Sequence, residues 1–110
     1  MTRALRNYDA MDEAITRNRA AGLHYFDHET LRFFNGRIPN VATRCDDDSI
    51  LFVDSIRCDW GYNHPRQYRV GRILPNGRYE SLVPDGQEVA PGLKGYRSLI
   101  AAQRAMYAMA

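Results

Sequence analysis

Cysteine occurs twice, tryptophan once and lysine once in 110 residues. Two cysteines are too few for a disulfide scaffold. No apolar run approaches the roughly 20 residues that span a bilayer, so a transmembrane helix is excluded. The opening MTRALRNYDAMDEA has arginines but no apolar h-region, which argues against a secretory signal and for a cytoplasmic protein. Catalytic signatures are missing as well. There is no G-x-S-x-G, no Cys-His pair within one motif and no phosphate-cradling glycine-rich turn.

Metal-ligand spacing is absent too. Cys45 and Cys58 lie thirteen apart, far outside C-x₂₋₄-C, and His24, His28 and His64 have no helical pairing. A Cys45–Cys58 disulfide is geometrically conceivable across a strand, but reducing cytosol would keep both as thiols. Asp46-Asp47-Asp48 offers carboxylates for a divalent cation, yet three adjacent side chains converge on one point only in a tight loop. A solvated turn is the simpler reading. The chain therefore reads as a non-enzyme without cofactor or metal.

What the sequence has in quantity is arginine: fourteen of the fifteen basic residues, for a net charge of +2. A GC-rich genome accounts for this through codon usage. Selection for the planar guanidinium fork, which grips phosphates and carboxylates bidentately, is the functional alternative. Residues 24–48 sum to −2 and residues 64–84 to +3, which suggests an acidic end and a basic face.

The length fits one domain, 1–110. Within it, residues 1–22 form an N-terminal helix region. A helix is predicted from Asp9, its cap, to Ala21, with Gly22 as the stop and a narrow stripe of Met11, Ala14 and Ile15 that suits packing at an edge. A short second helix follows an Asp27 cap, with Phe26 and Leu31 spaced as a hydrophobic staple, and stops at Asn35-Gly36. Tyr25, Phe26, Phe33 and Phe34 suit a core better than a ligand cage. Three strands follow at Ile50–Ile56, Gln67–Leu74 and Arg78–Val83. The last two are joined by Pro75-Asn76-Gly77, a hairpin signal because Asn and Gly accept positive φ. The glycine- and proline-rich stretch 84–95 reads as an irregular loop. A final helix starts near Ser98, with Leu99, Ala102, Met106 and Met109 as its buried stripe. The order implies an α+β fold: a small three-stranded antiparallel sheet packed against N-terminal short helices and a C-terminal helix, one face covered and the other partly exposed.

That exposed face would carry function. The most distinctive segment, Arg57 to Arg69, interleaves arginine with Trp60, Tyr62 and Tyr68. Such a surface can stack bases and contact phosphates, or serve as a protein–protein hot spot. Alternatively, Trp60 and Tyr68 fill the core and the arginines are merely solvated. The candidate binding residues are Arg57, Trp60, Tyr62, Arg66, Arg69, Arg72 and Arg78.

Gly22-Leu23-His24-Tyr25-Phe26-Asp27, Thr30-Leu31-Arg32-Phe33-Phe34 and Arg37-Ile38 resemble the opening of a widespread family of small uncharacterised proteins. These come from phages, plasmids and other mobile elements of GC-rich bacteria, with the pattern G-x-H-F-F-D, T-x-R-F-F, R-I. Phe52-Val53, Ser55, Pro65-Arg66, Tyr68, Val70 and the Ala-rich final helix extend the resemblance over about 22–110. The Asp46–Asp48 turn and the Arg57–His64 loop depart from any fixed family pattern. The resemblance implies a phage or mobile-element origin and brings no activity. The expected role is binding a host protein or ribonucleoprotein complex so as to modulate or inhibit it, as an anti-CRISPR or other anti-defence inhibitor does. The alternative is direct nucleic-acid binding through the Arg/aromatic sheet face. Monomer is the default state, with homodimer as the alternative.

Overall fold

The computed structural model describes residues 2–26, 30–31, 40–57, 66–84, 86–90 and 93–110. Among these, no helix is long and apolar enough to cross a membrane. The first helix, α1, spans Thr2–Ala20 and starts a full two turns before Asp9. Residues 2–8 are rich in arginine, alanine and leucine, good helix formers that propagate the helix without a cap at Asp9. Its end is as expected. Gly22 takes φ 78°, the Leu23 amide bonds the Asn18 carbonyl and the Gly22 amide bonds Arg19, so the last turn closes in a Schellman motif.

Four strands form one antiparallel meander in chain order: β1 (Ala42–Arg44), β2 (Ile50–Arg57), β3 (Arg66–Ile73) and β4 (Tyr79–Ser81). The three expected strands are present, with β4 shorter than anticipated. β1 is the addition. Its three residues are too few for a periodic signal, and it exists because Ala42 and Thr43 pair with Phe52 and Leu51. The Pro75-Asn76-Gly77 turn forms as predicted, with Gly77 at φ 92° and the Leu74 amide bonded to the Arg78 carbonyl.

The 84–95 stretch, expected to be irregular, contains a second small sheet of β5 (Glu88–Ala90) and β6 (Leu93–Lys94). Beyond it, Tyr68 and Tyr96 exchange both backbone hydrogen bonds. This occupies the edge of β3 past the end of β4. The last helix, α2, spans Leu99–Met109, and Ser98 caps it by accepting from the Ala101 amide. Thr30 and Leu31 are helical; the rest of the expected second helix, with Asp27, Phe33 and Phe34, lies outside the described residues.

Alternation along β2 builds two cores rather than one. Ile50 and Phe52 face α1 and pack with Ala10, Met11, Ala14, Phe26, Ala42 and Ile73. Leu51 and Val53 face α2 and pack with Val41, Val70, Ala102 and Met106. Both faces of the sheet are covered, which corrects the expected one-face cover. The run Ile50-Leu51-Phe52-Val53 is apolar at every position, and a strand of that kind is stable only when it is buried on both sides. Nor does α1 sit at an edge: it lies across β1, β2 and β3. The result is an α+β domain of three layers, helix, sheet and helix.

Candidate functional site

The five candidate residues that lie among the described ones are spread over both ends of the sheet. Arg57 and Arg66 are direct partners in the β2–β3 register, at the end from which residues 58–65 connect the two strands. Trp60 and Tyr62 belong to that connection and lie outside the described residues. Arg72 and Arg78 stand at the opposite end of the sheet, beside the β3–β4 turn. Arg72 is half-buried and bonds Glu80 at 3.3 Å, whereas Arg78 is exposed. Arg69 points inward. Its Nε donates to Asp54 Oδ1 at 2.9 Å and its NH2 to Oδ2 at 2.7 Å, a bidentate pair.

This pair anchors a polar knot on the α1 face. Asp54 is fully buried, and the Tyr25 hydroxyl donates to its Oδ2 at 2.6 Å. The Tyr25 ring stacks on Tyr79 at 3.7 Å between centroids, and the Arg69 guanidinium lies 5.8 Å from the Tyr25 centroid. Burial, followed by the Asp54 charge and hydrogen bond, drives the Tyr25 hydroxyl far above the usual tyrosine range. Burial alone would ease the proton off Arg69, but the hydrogen bonds and charge of Asp54 outweigh it and keep the guanidinium charged. Both carboxylate oxygens are engaged, so the knot ties the Tyr25 segment to the sheet.

Sequence reasoning missed the knot, although its signal is visible. Asp54 interrupts the apolar strand ILFVDSI on the same face as Ile50 and Phe52, and a buried carboxylate needs a cationic partner. The only described charged residue of β3 on that face is Arg69, directly opposite in register.

A second buried polar residue, Asn18, joins three parts of the chain. Its Nδ2 donates to the Gly77 carbonyl at 2.8 Å and its Oδ1 accepts from the Tyr25 amide at 3.0 Å. Near the same end, the acidic turn is occupied by its own fold. Asp47 Oδ1 accepts from the Ser49 amide and hydroxyl at 3.0 and 2.6 Å, which lowers the Asp47 pKa. Asp48 sits at φ 70°, and its carbonyl accepts from Arg17 at 2.7 Å. Glu13 bonds both Arg17 and Arg44. Among the described residues no cluster of His, Cys, Asp or Glu is arranged to hold a metal ion. His24 is exposed and Cys45 is a half-buried free thiol, while His28, Cys58 and His64 lie outside the described residues.

These features define a class: a small α+β domain with a meander sheet sealed between two helices, internally cross-linked by arginine–carboxylate pairs. The chain belongs to a family of unknown function, DUF7447, whose model matches residues 10–80. The match takes in most of α1 and all of the four-stranded sheet but Ser81; β5, β6 and α2 follow it. No curated protein and no solved structure matches the chain.

Proposed function

We propose that this protein acts by binding, without catalysis, as a phage or mobile-element accessory protein. It docks on a host macromolecular complex and modulates or inhibits it, in the manner of an anti-CRISPR or another anti-defence inhibitor. The observation that carries the reading is the β2–β3 register, which sets Arg57 directly opposite Arg66. Two arginines paired in register at one strand end are the residue type that recognises carboxylates on a partner, and Trp60 and Tyr62 in the adjoining connection are the residue types that anchor interfaces.

A protein partner is favoured over nucleic acid by the fate of the other arginines. Arg69 is spent on Asp54 and Arg72 on Glu80, so the +3 excess of residues 64–84 does not present a continuous phosphate-tracking face. The discriminating experiment is a pull-down from host lysate with the wild type and with Arg57→Glu/Arg66→Glu, each with and without nuclease. The expected result is a protein partner that survives nuclease and is lost with the double variant, which stays folded. Retention of the partner by the double variant refutes the site. Recovery of nucleic acid alone, lost at high salt through counterion release, replaces this reading with direct nucleic-acid binding.

A further inference from the structure

The helix that seals the second sheet face carries a second stripe on its outer side. Ile100, Gln103, Arg104 and Tyr107 follow the i, i+3, i+4, i+7 spacing that aligns side chains along one helix face. The inner stripe of Ala102 and Met106 already accounts for the packing of α2 on the sheet. Burial in the domain core does not require a large apolar residue on the outer stripe, yet Ile100 is 60% exposed and Tyr107 is 44% exposed. Together with Asn40 these residues line an open groove of about 450 Å³, a size within the range of ligand-binding pockets.

The groove wall is built. Asn40 takes φ 61°, and its carbonyl accepts from Gln103 Nε2 at 3.2 Å. The Tyr107 hydroxyl lies 3.5 Å from Asn40 Oδ1. The helix is thereby tied to the chain entering β1, and the groove keeps its shape without an occupant.

Charge selects the occupant. From Val89 onward the chain contains Lys94, Arg97 and Arg104 and no Asp or Glu. Arg104 is exposed at the centre of the stripe, with no carboxylate partner among the described residues. A two-fold pairing of this stripe with a second copy would bring two Arg104 guanidiniums together, which disfavours self-association. We infer that the outer face of α2 is a docking groove for an acidic amphipathic peptide segment of a partner protein. Apolar side chains of that segment cover Ile100 and Tyr107, and a carboxylate pairs with Arg104, the helix-in-groove mode of recognition. The inference goes beyond the strand-end reading and uses none of its residues, so either can fail alone.

The test is an amide-shift titration of the full-length, isotope-labelled protein with two synthetic helix-forming peptides of about 15 residues. One carries leucine at i, i+3, i+4 and i+7 with glutamate elsewhere; the other has lysine in place of each glutamate. The expected result is saturable shifts at Asn40, Ile100, Gln103, Arg104 and Tyr107 with the acidic peptide only. Arg104→Glu should weaken it roughly fivefold or more and transfer preference to the lysine peptide. Ile100→Glu should weaken it about tenfold. Both side chains are exposed, so both variants keep the wild-type Tm, and Arg19→Glu, exposed on α1 across the sheet, should bind as wild type. Three results overturn the inference: no shift up to roughly millimolar peptide, equal response to the two peptides, or shifts centred elsewhere. Concentration-dependent shifts at the groove without peptide also overturn it, by showing a second copy as the occupant.

Discussion

At the residue scale, the strongest demands come from polar groups inside the fold. Asp54 is buried with Arg69 as its cation and the Tyr25 hydroxyl as a donor, and truncating one partner of the ion pair leaves the other unpaired. Asp54→Ala should therefore lower unfolding free energy by about 3–5 kcal/mol in urea titrations. Asp54→Leu/Arg69→Met should recover much of that loss, because two apolar residues remove the unpaired charge altogether. The titrating groups give stability a pH window. Loss of solvent raises the Glu13 pKa, but the hydrogen bonds and charges of Arg44 and Arg17 outweigh it and leave it lowered; Ser49 lowers Asp47. A carboxylate with a depressed folded pKa stabilises the protein above its unfolded value and loses that contribution as pH falls through the folded one. Tm should thus decline below about pH 4–4.5, and Glu13→Gln should flatten the acid limb. Tyr25 works in the other direction. Its folded pKa is raised, so its contribution is complete below the unfolded value near 10 and fades as pH climbs above it. Tyr25→Phe should flatten the alkaline limb of a Tm-against-pH curve.

At the element scale, two glycines mark places where neighbouring elements leave no room for a side chain. Gly71 in β3 lies under two rings: an added Cβ would stand 2.5 Å from Tyr79 Cε1 and 2.9 Å from Phe52 Cζ. Gly71→Ala should cost about 1–3 kcal/mol by overpacking, and near-ultraviolet circular dichroism should report the displaced aromatic stack. Gly77 is more constrained. Its φ of 92° is left-handed, and a Cβ there would meet the Arg17 carbonyl oxygen at 2.7 Å, a backbone atom that cannot rotate away. Gly77→Ala should cost more than Gly71→Ala, and thermal melts of the two variants decide the order. The comparison separates packing strain, which side chains can relax, from backbone strain, which they cannot.

At the scale of the whole molecule, the two-sided sheet makes α2 indispensable although the family match ends at residue 80. Leu51, Val53 and Val70 are fully buried against Ala102 and Met106. Ending the chain after Tyr96 would remove the Ala102 and Met106 cover from that face. Such a truncation should bind a hydrophobic dye and aggregate on concentration, and the full chain should do neither. Met106→Ala, a milder version, should cost about 2–5 kcal/mol while leaving the outer stripe of α2 intact.

Local signals in the sequence determined the pieces. Gly22 ends α1, Pro75-Asn76-Gly77 makes the hairpin, Ser98 caps α2, and the Ile50 strand, the Tyr25–Phe26 core aromatics and the α2 buried stripe all follow from periodicity and turn chemistry acting over a few residues. An α+β architecture followed from their order. The tertiary structure alone decided what depends on distant residues meeting. A three-residue β1 exists only through its pairing with β2, and within 84–95 the short strands β5 and β6 pair with each other ahead of the Tyr68–Tyr96 bridge. The placement of arginines is of the same kind. Arg57, Arg66, Arg69, Arg72 and Arg78 look alike in the sequence, but strand alternation turns Arg69 inward to Asp54, and register sets Arg57 against Arg66. Charge in a sequence is a count; whether it is spent inside the molecule or offered to a partner is settled by which carboxylate the fold brings within hydrogen-bonding distance.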